Sequence, residues 1–247
     1  MDGVNVVLRR LFGMAAMVSG LCLSVAAQAG DGLTLGVFAF RPKPVMIRLY
    51  QPLVDYLNQA VPEARLTLKA LNHAEMEAEL AGDRLDLLFT NPSHFILLRQ
   101  RSRLSGALAT LVASEQGVPV SMLGGVIVGR AGDAALTGLG DLRGKTVAMP
   151  GTKFLGGYQT QAFELLRVGV KMPGDVRLLE VEGHDGVVRA VLDGQAEAGF
   201  IRTGILEALT REGRLQPGRL KVIDPQHFPD FPFQLSTRLY PEWAFAA

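Results

Sequence analysis

The chain has 247 residues, 48% of them hydrophobic, with 28 glycines, a single cysteine and a formal net charge of +1. A balanced charge without any basic run excludes an electrostatic nucleic-acid binder. With Cys22 as the only cysteine, nothing downstream of it can form a disulfide, a thiolate metal site or a cysteine nucleophile.

Residues 1–29 have the grammar of a cleaved leader. Arg9-Arg10 form the positive end, residues 11–25 the apolar core, and Ala27-Gln28-Ala29 a small-x-small cleavage site. The apolar run is shorter than the ~20 residues of a permanent span. Leu21 stands where lipid attachment at Cys22 wants a small residue. The sequence therefore predicts export to a bacterial periplasm, with a mature chain starting near Gly30.

A first strand is expected over residues 33–38, opening into Phe40, Arg41 and Pro42. Pro44 suits the first turn of the helix that follows, in which Pro52 marks either a kink or the tightening of a first turn, and Pro62 the end. Residues 65–70 alternate as a second strand. Asn72 with Glu75 three residues on is the signature of a capped helix start. Residues 85–89, apolar but for Asp86, form a run of the kind buried in a parallel sheet. It ends in Thr90, Asn91 and His94 before another apolar helix, whose far end carries the solvated Arg99.

Two further strands, 107–113 and 122–130, flank a turn at Gln116-Gly117. A second unit then repeats the layout: a strand over 145–149, a glycine loop Thr152-Lys-Phe-Leu-Gly-Gly-Tyr158, and a helix to Leu166. Next come a strand over 176–181, a helix from His184-Asp185 to Leu192, and a strand over 196–201 ending in Arg202 and Thr203. Strand–helix alternation with short loops predicts parallel sheets, and ligands of such sheets sit beyond the carboxyl ends of the strands. The fold class expected is α/β, with two similar lobes and a ligand cleft between them. The lobes are placed at residues 30–120 and 121–200, with a return to the first over 201–247. Phe233 to Thr237 is the expected returning strand, and nothing after Trp243 is expected to close the fold.

Candidate chemistry lies at the strand ends and in the glycine loop. Phe154 offers a stacking face; Gly156 and Gly157 let backbone approach a ligand; helix first-turn amides lack intrahelical partners. His94 can donate to an anion, and Arg202 and Arg41 can either clamp an oxyanion or form salt bridges between the lobes. Asp185 reads as a helix cap, while His73 and His227 read as peripheral. No metal-ligand spacing, nucleophile elbow or phosphate-loop pattern occurs, so no metal, cofactor or catalytic set is predicted.

Several motifs occur together and in order. They are Leu35-Gly-Val-Phe-Ala-Phe-Arg41, Asp86-Leu-Leu-Phe-Thr-Asn-Pro-Ser-His94, Gly124-Gly-Val-Ile-Val128 and Leu139-Gly-Asp-Leu-Arg-Gly-Lys-Thr-Val-Ala148. Val191-Leu-Asp-Gly-Gln-Ala-Glu-Ala-Gly199 and Phe231-Pro-Phe with Ser236-Thr-Arg-Leu-Tyr-Pro-Glu-Trp243 follow. Across residues 33–243 the chain resembles the phosphonate-binding-protein-like group of type II periplasmic solute-binding proteins. Its Thr90-Asn-Pro-Ser-His94 and Ser236-to-Trp243 forms look most like the subgroup placed ahead of histidine kinases, tetrathionate sensors among them. The resemblance implies a type II fold that closes on a small, anionic solute. The site residues it implies are Phe40, Arg41, Thr90, Asn91, His94, Thr152, Phe154, Gly156, Gly157, Tyr158, Arg202 and Thr203. Relatives seat phosphonate on hydroxyl side chains at a helix N-terminus. Here the loop keeps Thr152 alone of such a cluster, which points away from phosphonate or phosphate itself. The implied partner is a sensor kinase or other signalling module; a transporter permease is the alternative, and an enzyme on the same fold the remote one.

Overall fold

The computed structural model describes residues 32–115 and 117–247. The predicted leader, with Cys22 and its cleavage site, lies outside the described residues, as does Gln116 of the predicted turn.

The described chain opens with β1 (Thr34–Phe38) and α1 (Lys43–Ala60), then β2 (Thr67–Leu71), α2 (His73–Ala81), β3 (Leu87–Thr90) and α3 (Pro92–Arg101). Four short strands follow: β4 (Ala107–Thr110), β5 (Ala113–Glu115), β6 (Val118–Val120) and β7 (Met122–Leu123). The second half holds β8 (Gly125–Arg130), β9 (Thr146–Met149), a π-helical turn (Leu155–Gln159) running into α4 (Thr160–Arg167), and β10 (Arg177–Glu180). It continues with α5 (Gly183–Leu192), β11 (Ala198–Arg202), α6 (Ile205–Arg211), β12 (Leu220–Val222), β13 (Tyr240–Pro241) and β14 (Ala244–Ala246).

Local chemistry explains the main starts. Asn72 Oδ1 accepts from the Glu75 amide at 2.8 Å while Glu75 Oε2 accepts from the Asn72 amide at 2.8 Å, a complete capping box at the head of α2. Asn91 caps α3 by accepting from the His94 amide at 3.1 Å, with Pro92 at the first helical position. Both caps hang directly off strand ends, which sets His73 and His94 at the mouth of the first sheet.

Two five-stranded sheets result, ordered β2-β1-β3-β14-β4 and β10-β9-β11-β8-β12. The crossover-linked strands are parallel as expected, but each sheet also takes antiparallel members: β14 against β3 and β4, and β8 against β11 and β12. The physical reason is connectivity. Strands β8 and β14 arrive directly from the other lobe, so no helical crossover forces them parallel.

Each sheet builds its own apolar core. Leu35, Phe38, Met46, Leu88 and Trp243 are buried against the first. The second buries Val126, Val187 and Ile205 in one cluster and Ile127, Leu142 and Phe200 in another. This corrects the expected boundaries. Residues 201–223 belong to the second sheet: α6 packs into its core through Leu206 and Leu209, and β12 pairs with β8. Phe233 to Thr237 is not the returning strand but an irregular strap. Ser236 Oγ and Thr237 Oγ1 accept from the Ile127 and Gly125 amides, each at 2.9 Å. They cover the stretch of β8 that β12 leaves bare. The true return is β14, past Trp243, which fills the slot between β3 and β4.

Candidate functional site

The lobes meet where the strand ends of the first sheet face the loop and helix starts of the second. They exchange side chains there. Leu155 is buried in the first core with Phe154 packed beside it, while Phe40 packs against a core of the second. The Phe154 ring lies 5.1 Å from Phe38, 5.0 Å from His73 and 5.7 Å from His184, centroid to centroid. Beside it opens a cleft of about 660 Å³ lined from both lobes, by Ala39, Lys43 and His73 on one side and Pro150, Thr152, Phe154 and Glu182 on the other.

Three histidines surround this junction. His94 Nδ1 and Thr90 Oγ1 share a hydrogen bond of 2.9 Å, His73 packs edge-on against His94 at 4.5 Å, and His184 meets Phe40 at 6.1 Å. All three are buried. Loss of water dominates their titration and favours the neutral ring: His73 and His184 are pushed down to about 3 and His94 to about 4. Nearby charges are secondary, with Lys153 opposing and Glu77 favouring a charged His94. Among the described residues, His73 Nε2, His94 Nε2, His184 Nδ1 and Asn91 Nδ2 have no hydrogen-bond partner although each is buried. A buried polar atom left unmatched costs about 1–3 kcal/mol, which sets these four atoms apart from the paired polar groups around them.

Of the two roles open to the arginines, the structure shows the salt bridge between the lobes. Arg41 is buried and donates Nε to Asp185 Oδ1 at 2.8 Å and Nη1 to Glu212 Oε1 at 2.8 Å. Hydrogen bonding to Glu212 opposes the burial penalty and, with Asp185, holds Arg41 well above its ordinary value. Burial acts to raise the Asp185 carboxyl, but Arg41 and Arg214 leave it below the usual range. Asp185 is therefore an ion-pair partner inside α5 and not its cap; the cap position is Glu182, with no side-chain cap bond. Arg202 Nη2 meets Glu242 Oε1 at 2.6 Å, and its guanidinium lies over the Phe40 ring at 4.9 Å. Both arginines thus bridge the lobes, because a buried guanidinium demands carboxylates.

The remaining predicted positions divide. Phe40, Thr90, Asn91, His94, Phe154, Gly156 and Gly157 come together at the junction, and Thr152 sits exposed on the cleft rim. A β-carbon on Gly157 would fall 2.6 Å from His184 Cε1, and one on Gly156 would fall 2.7 Å from Arg202 Cβ. Tyr158 instead packs against the core that holds Val147 and Phe200. Thr203 serves the crossing between lobes: its amide donates to the Gly124 carbonyl at 3.0 Å and its Oγ1 accepts from the Gly124 amide at 3.1 Å. His73, expected to be peripheral, belongs to the junction; its place just after a strand end was the available signal. His184 shares that signal on the other lobe, where its amide donates to the Phe40 carbonyl at 3.2 Å.

Among the described residues no group of three or more histidine, cysteine, aspartate or glutamate side chains is arranged to hold a metal, and no helix is long and apolar enough to cross a membrane.

Two five-stranded mixed sheets of this strand order, joined by crossing segments and meeting at a cleft, define a two-lobed solute-binding protein of the type II periplasmic fold. The chain belongs to the family described as the periplasmic substrate-binding protein of phosphonate ABC transporters, which it matches over residues 35–247. It is 30% identical over 242 residues to the tetrathionate sensor histidine kinase TtrS of Salmonella typhimurium, an alignment covering 97% of this chain and 40% of that protein. The chain thus spans well under half the length of that relative. It also superposes on a binding protein of an ABC phosphonate transporter from Pseudomonas aeruginosa, with TM-score 0.69, 15% identity, and coverage of 87% of this chain and 67% of the other. PhnD1 from Prochlorococcus marinus, solved with methylphosphonate, gives TM-score 0.67 at 13% identity over 87% and 75%. At such identities the likeness speaks to fold alone. Family and fold are those of periplasmic solute-binding proteins, not of enzymes.

Proposed function

We propose that this chain is the ligand-sensing module of a signalling protein, binding a small anionic solute between its lobes and reporting the degree of closure. The observation that carries the binding is the group of buried polar atoms without a partner: His73 Nε2, His94 Nε2, His184 Nδ1 and the Asn91 amide nitrogen. A neutral imidazole presents one N–H and one lone pair, so in the tautomer that places the proton on the unmatched nitrogen these rings donate to an oxyanion without carrying charge themselves. Phe38, Phe40 and Phe154 pack against these rings. Of the predicted set, Phe40, Asn91, His94, Thr152, Phe154, Gly156 and Gly157 are retained as site positions, with His73 and His184 added. Arg41 and Arg202 act in closure. Export by the leader at residues 1–29 would deliver the module to the periplasm.

Signalling is preferred because almost the whole chain aligns with a minor part of a sensor kinase. Transport remains the second reading, since the family is described by a transporter component. The anions named for these relatives set the first assay. Calorimetry of the purified chain with tetrathionate and methylphosphonate should give saturable heat for at least one, reduced at least about tenfold in affinity by His94→Ala. No heat with any oxyanion, or affinity indifferent to His94, overturns the binding reading. Solute uptake lost on deletion of the gene would favour transport; loss of solute-dependent phosphotransfer with uptake intact would favour sensing.

A further inference from the structure

Away from the cleft, α1 carries an apolar face that its own fold does not cover. Met46 and Val54 point into the first core, while Leu49 is 52% exposed, Leu53 39% and Tyr56 66%. Three large apolar side chains spaced four and three residues apart lie along one side of a helix. Pro52, also exposed, sits among them.

The same face carries a paired charge pattern. Arg48 and Asp55, both exposed, are seven residues apart and fall on one flank of the stripe. Among the described residues Arg48 has no ion-pair partner, and the Asp55 carboxylate accepts only from the Gln51 amide one turn away, at 2.8 Å. At two turns' separation the two charges cannot satisfy each other within one helix. A two-fold axis through the middle of α1 changes that. Laid antiparallel about a point between Gln51 and Pro52, Arg48 of one helix comes opposite Asp55 of the other, twice over. Leu49 and Leu53 are symmetric about Gln51, half a residue from that point, so nearly the same operation brings Leu49 beside Leu53 of the facing helix on the other flank, with Tyr56 covering each end. Apolar and charged rows share nearly the same midpoint. A surface that is its own complement under a two-fold is what an isologous interface requires.

We propose that α1 is a homodimer interface, in which a second copy of this chain packs antiparallel on the Leu49, Leu53 and Tyr56 face with reciprocal Arg48–Asp55 pairs. A single helix pair buries less than a standard interface, so the dimer is weak and concentration-dependent. It also lies on the first lobe alone, so the second lobe stays free to move.

Sedimentation equilibrium of the purified chain tests this. The unmodified chain should show reversible monomer–dimer association. Arg48→Asp and Asp55→Arg, each alone, put like charges opposite at two places and should weaken association about tenfold or more. Mixing the two variants restores both pairs, so the mixed pair should associate as tightly as the unmodified chain. That recovery also certifies that both variants are folded. Tyr56→Lys should abolish the dimer. A chain that stays monomeric at the highest concentrations reached, or a mixture no tighter than either variant alone, overturns the proposal.

Discussion

Arg202 and Glu242 meet at 2.6 Å, Nη2 to Oε1, and so tie the end of β11 in the second lobe to the segment returning to the first. The Glu242 carboxylate is 3% exposed and its other oxygen accepts from the Trp243 amide at 3.1 Å. Such a pair adds little over well-packed apolar groups, but half of it alone is costly. Arg202→Ala is therefore expected to lower stability by about 3–5 kcal/mol. Arg202→Met combined with Glu242→Leu should recover most of that. Urea unfolding of the three variants measures it, and a single variant as stable as the parent would show that the pair carries no structural load.

Gly156 and Gly157 make a second, steric test. The Gly156 backbone lies against Arg202 Cβ and the Gly124 carbonyl, at 2.7 Å and 3.1 Å from where a β-carbon would stand, and neither neighbour is a flexible chain end. Gly156→Ala should force the π-helical turn away from β11, costing about 1–3 kcal/mol. Gly138→Ala, where the added carbon meets nothing, is the control. Equal thermal midpoints for the two variants would refute the close approach.

Much of this was legible in the chain. Asn72 and Glu75 announce their capping box by type and spacing, and the apolar runs before Thr90 and Arg202 announce buried strands. The doubled strand–helix layout gives two lobes. What the chain could not disclose is which charges find each other across 40 to 171 positions. Arg41 and Arg202 have the same residue types whether they hold an anion or a carboxylate, and only the fold brings Asp185, Glu212 and Glu242 to them. The returning strand was missed for another reason. Ala244–Ala246 is three residues long, and its pairing depends wholly on the gap between β3 and β4.

The buried histidines predict a dependence on pH. Their folded values, about 3 for His73 and His184 and about 4 for His94, lie below the ordinary 6.5. Between those limits the unfolded chain binds more protons, so stability rises with pH across the window. It should be complete above about pH 6.5 and decline steadily toward pH 4. His94→Gln and His73→Gln should each flatten the slope in that window. Chemical-denaturation midpoints at half-unit pH steps give the curve; a flat profile from 7 to 4.5 would contradict neutral, buried rings.

Arg41 supports the last prediction, because its partners lie wholly on the other lobe. Its guanidinium reaches Asp185 and Glu212, while the Phe40 carbonyl beside it accepts from the His184 amide. The contact is close: a β-carbon on Gly183 would fall 3.3 Å from that carbonyl. Removing Arg41 leaves Asp185 with Arg214 still beside it and leaves Glu212, partly exposed, with Arg214 at 3.3 Å. The cost to each lobe's own fold should therefore be smaller than for Arg202→Ala, whereas the cost to the lobe–lobe contact is the whole ion pair. Arg41→Ala is expected to shift the chain toward an open form, seen as a larger radius of gyration by small-angle scattering with unchanged far-ultraviolet circular dichroism. Affinity for any cleft ligand should fall by the fraction of molecules no longer poised to close. Arg214→Ala, which spares the contact made by Arg41, should leave the radius unchanged. Equal radii for Arg41→Ala and the parent would mean that the aromatic junction around Phe154 holds the lobes without the ion pair.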